Sequence, residues 1–152
     1  ALRRDATELG VAQERISVIL DDYSNVAGER IGIADLVILT GVLQHSRDES
    51  ELEHRLGHAA GFASSPGSIV YIEMLLDMQF DGKPPVDGRI AITQQDFEVL
   101  LGRCFPAASW SVEQSFGPVR QLQTFLTAGR SFQPPASLIE STAVEYLIRR
   151  LD

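Results

Sequence analysis

The sequence predicts an α/β fold with a mostly parallel sheet and an antiparallel C-terminal hairpin. Three observations carry this. Short apolar runs without alternation recur at 16–20, 36–39 and 69–72, as in strands covered on both faces. Helical periodicity separates the later runs. Two segments near 109–127 alternate instead, as in antiparallel strands with one wet face.

The elements follow in order. ALRRDATELGV, at 1–11, has Leu2, Ala6 and Leu9 at helical spacing and stops at Gly10. With no N-cap and no initiating methionine, the chain is expected to begin inside a longer one. RISVIL at 15–20 is a β-branched strand that ends in the turn residues DDYSN. After a Gly-rich, charged loop at 27–32, ADLVIL at 34–39 is a second buried strand. Ser46, with Glu49 three residues on, has the spacing of a capping box for a helix over 48–63. Leu52, Leu56, Ala59, Ala60 and Ala63 form its apolar stripe, and SSPG stops it. SIVYIE at 68–73 is a third buried strand. The Pro/Gly stretch 79–89 is longer than a simple turn and is a candidate substrate lid. Thr93 with Asp96 opens a helix that runs to Phe105. Strands at 109–114 and 120–127 flank a turn at Gly117-Pro118. A linker at 129–135 precedes a final helix at 137–151, capped by Ser137 and Glu140, with Leu147, Ile148 and Leu151 on one face. The domain is therefore expected at 1–128, and the linker and C-terminal helix at 129–152.

Composition narrows the function classes. The chain of 152 residues carries 13 Lys and Arg against 21 Asp and Glu, a net charge of −8. Phosphate backbones are bound by clustered cations, and the arginines here are scattered, so nucleic acid is not the expected partner. No apolar run approaches the ~20 residues of a membrane span. The single cysteine, Cys104, excludes a disulfide framework. With no signal-peptide pattern, a cytoplasmic protein is expected.

Three segments together resemble class I S-adenosylmethionine-dependent methyltransferases. They are RISVILDDYSN, ADLVILTGVLQHSRDESELEHRL and SSPGSIVYIE. ITQQDFEVLLGRCF is similar to the helix after that family's fifth strand, and SWSVEQSFGPVRQLQTFLT to its closing hairpin. The resemblance covers about residues 2–128. It implies a Rossmann-like sheet, S-adenosylmethionine as cofactor and a small-molecule acceptor. The family's Gly-rich loop after its first strand and the acid after its second have no counterpart, so the first two strands are absent. The strand at 16–20 then needs new partners for its backbone groups. A missing N-terminal segment, a partner chain such as a second copy, or a rearranged sheet would supply them, and the first is expected. A non-catalytic binding or dimerisation module is the alternative function.

The resemblance assigns Asp21, Asp22 and Tyr23 to the adenine side of the cofactor, although Asp is common in strand-end turns anyway. Thr40 and Gly41 end the second strand, where open α/β sheets bind ligands. Gly41 either admits a ligand closely or is a plain strand-to-loop glycine. His45 is the candidate base that takes a proton from the acceptor, or else a polar bracket under the helix start. His54 and His58, four apart on a helix, have no evident third partner for a metal. Glu73 ends the third strand beside Thr40 without a clear role. Cys104 and Trp110 are expected in the core.

Overall fold

The computed structural model describes residues 31–85, 89–125 and 137–152. Four strands form one open sheet, β1 (Leu36–Thr40), β2 (Ile69–Phe80), β3 (Trp110–Phe125) and β4 (Ser137–Arg150), in the order β1-β2-β4-β3. Among the described residues two helices of more than ten residues accompany them, α1 (Glu49–Phe62) between β1 and β2 and α2 (Gln94–Cys104) between β2 and β3. Among the described residues no helix is long and apolar enough to cross a membrane.

The sheet is mixed rather than mostly parallel. β1 runs parallel to β2, from Leu36 opposite Ile69 to Thr40 opposite Glu73. β4 is antiparallel to both β2 and β3. The strand expected at 16–20 and the helix expected at 1–11 lie outside the described residues.

The expected C-terminal helix is instead the strand β4, hydrogen-bonded on both sides. Its residues favour this. Ile139, Thr142, Val144, Tyr146 and Ile148 are β-branched or aromatic, types that fit a pleated surface. Burial moves from Ile139, Ser141 and Ala143 on one side of the strand to Val144, Tyr146 and Ile148 on the other. That change of phase hides the period of two and leaves a spacing that passes for helical.

The expected hairpin is corrected too. Gly117-Pro118 is no turn between two strands but an irregularity inside β3, which pairs with β4 on both sides of it. Gly117 has φ +83°, and a Cβ there would collide with the Ala143 carbonyl oxygen. Only glycine meets both conditions. The closing antiparallel hairpin is β3 with β4.

The helix caps rest on short polar side chains. Asp48, not Ser46, caps α1 by accepting the Glu51 N–H at 2.8 Å. The Ser46 hydroxyl is turned inward and donates to the Leu43 carbonyl at 2.8 Å. Thr93 caps α2, accepting the Asp96 N–H, as its spacing predicts. At the α1 start the Arg47 N–H and guanidinium both donate to Glu51, and Arg55 donates to it from the next turn. These bonds, led by the backbone one, lower the Glu51 carboxyl to about 2.

Both helices cover the same sheet face. Val70, Ile72, Met74 and Leu76 of β2, with Val144, Tyr146 and Ile148 of β4, meet Leu52, Leu56 and Ala59 of α1 and Phe97, Leu100 and Leu101 of α2 in one core. Arg103 forks onto the Glu53 carboxylate at 3.1 and 3.0 Å and ties α2 to α1. Phe105 and Trp110 pack edge to face, centroids 5.1 Å apart, and Cys104 packs against the core as expected.

Candidate functional site

The carboxyl ends of the parallel pair are set by three local devices. β1 stops at Thr40 because Gly41 takes φ +65°, a conformation that turns the chain off the sheet. Next, residues Leu43–His45 form a 3-10 turn, in which the His45 N–H donates to the Val42 carbonyl at 3.2 Å. Leu43 is fully buried and anchors this turn in the core.

The stretch just before α2 then crosses the same end of the sheet. The Ile90 N–H donates to the Gln44 carbonyl at 3.1 Å, and the Asp77 N–H donates to the Ile92 carbonyl at 3.0 Å. Ile90 and Ile92 are buried. The end of the sheet is therefore bracketed by residues from both sides of α1 and by the segment entering α2.

Of the residues singled out from sequence, Thr40, Gly41 and His45 come together here, and all three are exposed. The His45 imidazole stands at the end of its turn and makes no hydrogen bond to the described residues. Asp21, Asp22 and Tyr23 lie outside the described residues.

Glu73 does not end its strand. β2 continues through it to Phe80, and Glu73 is the residue directly opposite Thr40. The stretch expected as a lid is partly strand. Phe80 turns tightly through Asp81 and Gly82 to bridge with Lys83, and the Arg89 guanidinium sits 5.3 Å from the Phe80 ring centroid.

Two features here escape sequence reasoning. Gln44 is 8% exposed, and its Oε1 has no hydrogen-bond partner among the described residues. Its Nε2 lies 3.7 Å from where a Gly41 Cβ would stand. An orphan amide oxygen beside a bare glycine is a costly arrangement in a folded core. No periodicity or motif marks it. Secondly, Glu145 of β4 faces Glu73 across the strands, and the Glu145 carboxylate near the Tyr71 hydroxyl raises the Tyr71 pKa. This pair depends on the position of β4 and is invisible while that segment is read as a helix.

The His54 and His58 rings meet at a tilt of 53° along α1, 4.7 Å between centroids, and His58 meets Phe62 edge-on. Among the described residues no group of three or more metal-ligating side chains converges. No known protein family matches the chain, and no curated protein sequence matches it.

Proposed function

We propose that this chain contributes to S-adenosylmethionine-dependent methyl transfer onto a small-molecule acceptor. The observation that carries the reading is the open carboxyl end of β1, where Thr40 and Gly41 leave a parallel strand pair. Ligands of open α/β sheets gather at such ends. The antiparallel closing pair, β3 with β4, supports this reading.

The residues present fit the cofactor at this end. Gly41 offers bare backbone, and Thr40 offers an exposed hydroxyl. These two would hold it, together with Asp21, Asp22 and Tyr23 on its adenine side. Bound S-adenosylmethionine supplies a methyl carbon activated by its sulfonium. Leu43 and Ser46 fix the turn that carries His45. The exposed imidazole accepts the proton that an acceptor hydroxyl or amine gives up as its heteroatom gains the methyl group. The acidic chain suits a small acceptor better than a polyanion.

Calorimetric titration of the chain with S-adenosylmethionine and with its demethylated product tests this. One site per chain is expected, weakened about tenfold or more when Gly41→Val fills the bare backbone. His45→Ala should keep binding and lower kcat by roughly 10²-fold or more. A folded chain that binds neither compound overturns the reading.

An assembly module is the second reading. It is favoured by Leu36 and Ile38, 54% and 58% exposed on β1. A strict monomer by sedimentation equilibrium would exclude it.

A further inference from the structure

A groove of about 490 Å³ runs between α2 and the β3 edge of the sheet. It is independent of the carboxyl-end site and of the function proposed there. β3 is the strand farthest from β1, and Trp110 pairs with Arg150 near the opposite ends of the strands. Phe105, Trp110 and Tyr146 line the groove, while Glu98, Gly102 and Gln114 stand along its rim. The volume lies within the ~300–1,000 Å³ of small-molecule sites.

The charge on its rim is one-sided. Glu98 Oε1 accepts from the Tyr146 hydroxyl at 3.0 Å and from Gln94 Nε2 at 2.8 Å, both neutral donors. Among the described residues no Lys or Arg pairs with Glu98, and none donates to its other carboxylate oxygen. Tyr146 does not neutralise it, because burial and the bond to Glu98 both push the Tyr146 pKa upward. An aromatic floor beside an unneutralised carboxylate is complementary to a ring that bears a cation.

We propose that this groove binds a small organic cation with a planar ring, its ring on the Phe105–Trp110 floor and its ammonium group on Glu98. The Arg150 guanidinium, which is not among the residues lining the groove, lies over the Trp110 ring, 5.2 Å from its centroid. That contact holds the indole in place as one wall.

Trp110 is the only tryptophan of the chain, so its fluorescence reports directly on the groove. Phenethylamine is the probe, and 2-phenylethanol is its uncharged counterpart. Phenethylamine should change the Trp110 emission saturably. The alcohol should bind about tenfold more weakly, and Glu98→Gln should remove that difference. Gly102→Leu is the blocking variant. A Cβ there meets nothing within 4 Å, so the leucine extends into open space from a helical position. Circular dichroism checks that this variant is folded, and it should not bind the amine. No saturable change in the unmodified chain, equal affinity for amine and alcohol, or undiminished binding by folded Gly102→Leu would each overturn the proposal.

Discussion

The two faces of β2 differ sharply. Val70, Ile72, Met74 and Leu76 point under α1 and α2 and are fully buried. Ile69, Tyr71, Glu73 and Leu75 point the other way and are half-buried. No described helix packs on that second face, and Leu36 and Ile38 of β1 are exposed. The first face holds aliphatic side chains at crystal-like density and carries the stability. The second holds two facing carboxylates and a tyrosine hydroxyl, which contribute little to stability and present chemistry. One strand thus separates holding the fold from displaying polar groups.

The adjacent leucines of β2 test this most directly. Leu76→Ala should cost about 3–4 kcal/mol in urea unfolding, through lost transfer energy and a cavity under the helices. Leu75→Ala, on the other face, should cost about 1 kcal/mol or less. Equal losses would erase the distinction between the faces.

The next effect lies where β3 crosses β4. Gly117→Ala combines a left-handed backbone with a collision against the Ala143 carbonyl oxygen. It should cost about 2–3 kcal/mol, read as a lower midpoint of thermal unfolding.

A smaller effect of opposite sign is expected on the polar face. Glu73 and Glu145 are like charges directly across the strands. Glu73→Gln should stabilise by about 0.2–1 kcal/mol at low salt, and the gain should shrink as salt is added.

The last prediction concerns acid. The Glu51 carboxyl titrates at about 2 when folded and at the ordinary 4.5 when unfolded. Its contribution is therefore full above pH 4.5 and is lost as the pH falls toward 2. Glu51→Gln should flatten the unfolding midpoint between these pH values compared with the parent chain.

What the sequence reveals follows the same division. α1 and α2 are legible because their apolar residues keep to one covered face, β1 and β2 because they are uninterrupted apolar runs, and Thr93 announces its helix. β4 is not, because its buried side changes at Ala143 and Val144 and its Ser137…Glu140 spacing imitates a cap. The same imitation misplaces the α1 cap at Ser46, whose hydroxyl instead serves the 3-10 turn. At the candidate site Thr40 and Gly41 are legible, since a glycine after an apolar strand marks where a sheet opens. Gln44 is not, since its orphaned oxygen depends on what packs over it. The Glu73–Glu145 pair is illegible because it needs a strand order that local pattern does not contain.

The order of the sheet has a consequence for how the chain is made. β4 comes last along the chain, yet it alone joins β3 to β2. During synthesis β1, α1 and β2 can pair early, whereas β3 emerges before β4, its one partner among the described strands. Its sixteen residues stay unpaired until β4 arrives and docks against both neighbours in one step. Closure of the sheet is therefore delayed until residues 137–150 are available, and a chain cut short before residue 137 exposes a long, sticky edge.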